Sequence, residues 1–221
     1  MMGTIAEYPV ESAAVSRTGS PAVTLATAVC RFEDLLGATA ADRLLEDAYA
    51  AQLEHMAAER GRAAQMPERW ESPERVLRAP ALAEAVRSLS AVVQDMLGVA
   101  APSGRMGYQF VMRNHQPAEG RESGPIFRAC VDPKGGENGR AVSFVYTLHR
   151  RPREFTGGGL RIFDTTVRDG HPACADSFRD IRPDHDTLTF FPASAWHRFQ
   201  WVSCPSGRLM DSHFSFEGWL A

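Results

Sequence analysis

The residues able to do chemistry fall in two stretches of this chain. The first runs from Phe127 to Asp164, FRACVDPKGGENGRAVSFVYTLHRRPREFTGGGLRIFD, and places Cys130 one residue from Asp132. The second runs from Phe190 to Trp219, FFPASAWHRFQWVSCPSGRLMDSHFSFEGW, and contributes His197 and His213. A thiol, an imidazole and a carboxylate are the residue types of a nucleophile, its base and an orienting acid. Two imidazoles and a carboxylate suit acid–base work on a bound small molecule, such as a cyclisation, isomerisation or elimination. A thiolate also needs positive charge nearby, which His197 would supply and Asp132 would oppose.

These residues have to be positioned by a scaffold, and the rest of the chain supplies one. From Gly104 onward the sequence breaks into short apolar segments separated by Gly-, Pro- and Asn-rich turns, the pattern of a sandwich or barrel. Tyr108 to Arg113 reads as a strand and His115 to Gly124 as a loop. Residues 142–148 alternate, with Val142, Phe144, Tyr146 and Leu148 on one side and Ser143, Val145 and Thr147 on the other. Gly157-Gly158-Gly159 forms a turn into the strand Leu160 to Phe163. In the last strand Phe214 and Phe216 face one way, and His213, Ser215 and Glu217 the other.

Ahead of the strands lie two helical segments. Leu45, Ala48, Tyr49, Leu53 and Met56 share one face of a helix over about residues 40–60, with Thr39 and Asp42 as a loose capping box. Leu82, Val86, Leu89, Val93, Met96 and Leu97 mark a second helix that begins near Pro80. Neither carries a chemical motif, so both are expected to buttress a sheet. Val23 to Phe32 reads as a strand, and residues 1–22 as an N-terminal arm. The expected organisation is a single domain over 23–221, with a helical layer at about 38–98 and a jelly-roll core at about 104–221.

Composition excludes several classes. Apolar content of 44% and charged content of 23% are those of a globular protein. A net charge of −3 and the lack of a Lys/Arg-rich run give no reason to expect nucleic acid as a partner. Nothing approaches eighteen consecutive apolar residues, so no membrane span is expected. The N-terminal sequence has neither the basic start nor the apolar centre of a signal peptide. Cys30, Cys130, Cys174 and Cys204 show no paired spacing, which points to a reduced, cytoplasmic protein rather than a disulfide framework. His55, His149, His171 and His185 read as surface or loop residues, and Cys30, Cys174 and Cys204 as inert thiols.

Taken together, the FTGG at Phe155 to Gly158, the LRIF at Leu160 to Phe163, the run Thr187 to Pro192 and the terminal DSHFSFEGW resemble the iron(II)/2-oxoglutarate oxygenases, in their prolyl-4-hydroxylase-like branch. The resemblance covers about the C-terminal half. It implies a mainly β (α+β) fold with a double-stranded β-helix, jelly-roll or cupin-like, buttressed by N-terminal helices. It also implies Fe(II) and 2-oxoglutarate as cofactors, and hydroxylation or a related oxidation of an unactivated C–H bond.

Such a site takes two imidazoles and a carboxylate on one face of the metal. Asp132 holds the carboxylate place, with Arg140 leading the strand eight residues later, and His197 the second-histidine place; the first-histidine place holds Cys130. His115 and His149 do not stand where they would replace it. The family grips the far carboxylate of 2-oxoglutarate with an arginine six residues before the tryptophan, since a guanidinium fork binds carboxylate in two places. Here that residue is His213, with Ser215 two further on and Arg208 in the preceding loop. Thr147 stands where many relatives have a tyrosine, and Tyr146 is adjacent.

Three functions follow. The first is an atypical oxidoreductase with Cys130, Asp132 and His197 on the metal and His213, Ser215, Arg208, Tyr146 and Thr147 toward the co-substrate. The second is a cofactor-independent enzyme using Cys130, Asp132, His197 and His213. The third is a non-catalytic member that binds a ligand or partner protein. The first is favoured, with a small-molecule substrate.

Overall fold

The computed structural model describes residues 22–59, 69–73, 78–101, 104–114 and 139–221. Strands β1 (Val23–Leu25) and β2 (Cys30–Phe32) precede helix α1 (Ala38–Glu59), strand β3 (Arg69–Pro73) and helix α2 (Pro80–Leu97). Strands β4 (Met106–Arg113), β5 (Val142–Leu148), β6 (Thr156–Gly157), β7 (Leu160–Arg168) and β8 (His171–Ile181) follow. The chain ends with β9 (Thr187–Pro192), β10 (His197–Phe199), β11 (Val202–Ser203) and β12 (His213–Leu220).

Six strands form the major sheet in the order β2-β9-β5-β12-β4-β3, all antiparallel. A second sheet runs β1-β7-β10, with β8 also paired to β7. The short β6–β11 pair forms a third piece. These sheets make the double-stranded β-helix expected from the sequence.

Strand alternation divides the major sheet into two faces. Phe110, Met112, Phe144, Tyr146, Phe214 and Phe216 point to one side and pack with Leu45, Met56, Leu82 and Val86 of the helices. Phe110 and Phe214 stack with ring centroids 5.8 Å apart, an arrangement that adds to the area they bury. On the opposite face Val145 and Phe191 join Leu160, Ile162 and Ile181 of the second sheet in the barrel interior. The helices are buttresses, as their motif-free sequences indicated.

Pro80 opens α2, where a missing N–H costs nothing, and Gly98 closes it in the left-handed conformation at φ 64°. The start of α1 differs from the capping-box expectation. Thr39 lies inside the helix, and the chain enters through Gly37, whose carbonyl accepts from Ala40 and Ala41 N–H. The cap comes from far away: the Asp186 carboxylate accepts from Leu36 N at 3.0 Å and Gly37 N at 2.8 Å. Tyr146 Oη donates to the same carboxylate at 2.6 Å.

Two further local readings are corrected. Val23 to Phe32 is two strands, because β1 pairs with β7 while β2 crosses over to pair with β9. The polar run after α1 contains strand β3, which extends the sheet beyond β4. Its pairing with β4, which no local pattern announces, sets it there.

Tyr146 and Asp186 are both buried, so a lost hydrogen bond there is not replaced by water. Tyr146→Phe should lower stability by about 1.5–3 kcal/mol, the range for hydrogen bonds to charged groups. Chemical denaturation of the variant and wild type, with unchanged m-value, checks it.

Candidate active site

The interior face of the major sheet carries the polar residues. Cross-strand pairing aligns His213 with Arg113, and Ser215 with Val111 on one side and Thr147 on the other. Thr147 in turn pairs with Thr187, and Val145 with Thr189. Across the interior, β10 brings His197 opposite Ile162 and Phe199 opposite Leu160. A cleft between the sheets is lined by Thr147, Thr189, Leu160, Arg182, Phe199 and His213, among others.

The glycine turn before β7 shapes one wall. Gly157 and Gly158 both have left-handed φ, 75° and 73°. A Cβ on Gly157 would lie 1.9 Å from the Trp201 carbonyl oxygen, and one on Gly158 would lie 3.3 Å from His213 Cδ2. Only glycine satisfies both demands.

His197 is oriented by its own backbone. Its Nδ1 lies 3.0 Å from the Ala195 carbonyl oxygen. A carbonyl only accepts, so Nδ1 carries the proton and Nε2 keeps its lone pair. The ring packs edge-on against Phe191 at 5.0 Å. Burial pushes its pKa down, against smaller upward pulls from the Ala195 hydrogen bond and Glu217. A tethered, neutral imidazole is what a metal ligand requires.

His213 is almost fully buried, and its Nδ1 has no hydrogen-bond partner among the described residues. Phe155 packs edge-on against it at 5.5 Å. Burial holds its pKa well below the usual histidine value, and Arg113, His149 and Arg153 push the same way. His213 is therefore neutral at physiological pH and does not supply a permanent charge.

The permanent charge comes from Arg113, which the sequence reading did not single out. Arg113 is 2% exposed. Its Nη1 donates to Ser215 Oγ at 2.9 Å, and Nη2 lies 2.5 Å from Glu217 Oε1. Ser215 Oγ donates to the same Glu217 oxygen at 2.8 Å. The guanidinium carbon sits 3.9 Å from the centroid of Phe199, a cation–π contact. Alternation along YQFVMR could have turned Arg113 inward, but only register puts it beside His213.

The other expected site residues divide as follows. Ser215 and Thr147 face the interior, both buried. Tyr146 does not: alternation turns it to the helical side, where Asp186 holds it. Arg208 is exposed at the start of the 3-10 turn Leu209–Asp211, away from the buried interior face. Cys130 and Asp132 lie outside the described residues, as does His115. Among the described residues no three His, Cys, Asp or Glu side chains converge as a metal site.

Two of the histidines read as surface or loop residues do lie in loops, but their side chains are turned inward. His149 is 7% exposed and stacks edge-on with both Phe155 and His185. Its Nδ1 donates to the Arg150 carbonyl at 2.8 Å, and its N–H donates to His185 Nδ1 at 3.2 Å. Long-range packing of the loop after β5 against residues 184–186 buries them.

The fold matches that of known proteins. A family model described as the 2OG-Fe(II) oxygenase superfamily matches residues 111–221, and the chain belongs to that superfamily. An uncharacterized PKHD-type hydroxylase from Synechocystis sp. is 31% identical over 81 residues, covering 37% of this chain and 27% of that protein. The chain thus spans about a quarter of that relative. A prolyl hydroxylase from Trichoplax adhaerens, solved with a hypoxia inducible factor peptide fragment, superposes with a TM-score of 0.55 at 15% identity, over 88% of this chain and 83% of that one. A prolyl-4-hydroxylase from Pseudomonas putida gives 0.50 at 19%, over 88% and 92%. At these identities the likeness is one of fold. No helix among the described residues is long and apolar enough to cross a membrane.

The buried histidines make stability depend on pH. With a folded pKa below its unfolded value of about 6.5, His213 binds fewer protons folded than unfolded. Its contribution is present above about pH 6.5 and is lost as pH falls from there toward the folded value. Denaturation midpoints should drop below pH 6.5, and less steeply in His213→Gln; an equal slope in both would contradict the assignment.

Proposed function

We propose that this chain is an atypical oxygenase that oxidises a small molecule, by hydroxylation or a related reaction, through a rebuilt metal and co-substrate site. Family membership supplies the reaction class. The observation that carries the reading is His197, whose tethered ring offers Nε2 to a metal in the interior. Cys130 and Asp132 would complete a thiolate–carboxylate–imidazole set. The thiolate is softer and more electron-donating than imidazole, which alters metal preference.

The donors of the interior fit an organic co-substrate as well. Arg113 and Ser215 present hydrogen-bond donors of the kind that bind carboxylate. Iron(II) with 2-oxoglutarate, when bound, would supply the electrons that activate dioxygen, which is the oxidant of the C–H bond. This chain's residues do the holding: His197 ligates, Thr147 and Ser215 offer hydroxyls, and the Phe191, Leu160 and Ile162 walls exclude water. The depth of these groups between two sheets favours a small substrate over a folded surface.

The test is an anaerobic Fe(II) titration of metal-stripped protein with and without 2-oxoglutarate. Stoichiometric binding is expected, lost in His197→Ala and in Asp132→Ala, with a new charge-transfer band when 2-oxoglutarate is added. No binding at high micromolar iron would overturn the metal-dependent reading.

A further inference from the structure

Residues His149 to Phe155 connect β5 to β6 as a strap beside the cleft. Its ends are buried, and Arg150 and Arg151 between them are exposed. The two ends meet, with His149 edge-on to Phe155 at 5.7 Å. Phe155, Val202 and Cys204 make a hydrophobic cluster of their own, apart from the two larger cores. Phe155 also packs on His213, and the turn that follows carries Gly158; His213 and Gly158 both line the cleft. That cleft has a free volume of about 10 Å³, room for one water molecule. Anything larger enters only if part of the lining moves. Most of the lining lies on paired strands of the two sheets, whereas the strap is held by side chains.

The strap is fastened by groups that titrate or pair charges. At its root the His149 N–H donates to His185 Nδ1 at 3.2 Å. Further along, Arg151 Nη2 donates to Asp42 Oδ2 of α1 at 2.7 Å, and Arg150 Nη1 lies 3.6 Å from Asp211 Oδ1. A ring nitrogen that accepts from an amide cannot take up a proton and keep that bond. His185 is therefore neutral while the strap is closed, with its proton on Nε2, which faces Asp42 Oδ1 at 3.4 Å. A proton on Nδ1 would set two donors against each other and add a cation beside Arg151. Asp42 meets Nε2 in either state, so it holds the ring without restoring the lost bond. Burial disfavours the charged ring most, and Arg151 adds to that, while Asp42 and Asp186 favour it. Arg153 and Asp184 face the neighbouring His149.

We propose that the strap His149–Phe155 is an acid-released latch on the cleft. A proton on His185 Nδ1 ejects the His149 N–H, and Phe155 and the Gly158 turn then come away from His213. The inference goes beyond the oxygenase reading and requires no metal. The cleft is shut at neutral pH and opens in mild acid.

The test is residue-resolved amide hydrogen exchange by NMR on the full-length chain between about pH 5 and 8, corrected for the intrinsic rate. The His149 amide reads the root of the strap. The Gly158 amide, which donates to the Trp201 carbonyl at 3.1 Å, reads the cleft wall. Amides of β5 report opening of the whole domain. Protection at His149 and Gly158 should lie below that of β5 and fall together, about tenfold per pH unit below about 6.5. The fall should end where the His185 ring nitrogens titrate. His185→Asn keeps an acceptor near the Nδ1 position but cannot take the proton, so protection at both amides should stay flat.

A variant that loses protection as wild type does would overturn the latch. Wild type decides even without the variant. No fall at His149, or a fall there with Gly158 unchanged, would overturn it. Protection equal to that of β5 throughout would show that only the whole domain opens, with the same consequence.

Discussion

The pairing of β12 between β4 and β5 is the constraint on which the rest of this structure depends. Three antiparallel strands in fixed register send every second side chain to the helices and the others to the barrel interior. Phe214, Phe216, Phe110, Phe144 and Tyr146 thereby form the wall that α1 and α2 cover. The same register stacks His213, Ser215 and Glu217 on the inner side with Arg113 and Thr147. A slip of one residue would exchange an aromatic core for a set of polar groups, so packing and chemistry are fixed together.

Inside the barrel the electrostatics follow from burial. Four histidines, His149, His185, His197 and His213, are pushed toward the neutral form chiefly by desolvation. Arg113 stays charged because guanidinium does not lose its proton in proteins, so it must carry a carboxylate with it. The result is an interior that holds, among the described residues, neutral imidazoles and the buried Arg113–Glu217 ion pair. On the outer side Asp186 plays the matching structural part, with its carboxylate accepting from Tyr146 and from the N–H groups that lead into α1.

Much of this was legible before any coordinates. The helical layer, the strands Val142–Leu148 and Leu160 onward, the glycine turn and the double-stranded β-helix follow from local signals: apolar period, turn residues and motif order. The inward positions of Thr147, His213 and Ser215 follow from strand alternation alone. Tyr146 failed on the same rule, because adjacency in sequence on a strand means opposite faces in space. Arg208 failed because a guanidinium in a Gly-flanked turn remains in water. The burial of His149 and His185 within their loops was not legible, because neither carries a periodic signal and the loop after β5 folds back on the 184–186 segment.

The sequence by itself determined the fold class and the family, since each is written in residues close together along the chain. Tertiary structure alone decided which charge stands beside His213. Arg113 and His213 are a hundred residues apart, and only sheet register makes them neighbours. Register is a property of two strands and the core they share, so no single stretch of sequence can announce it.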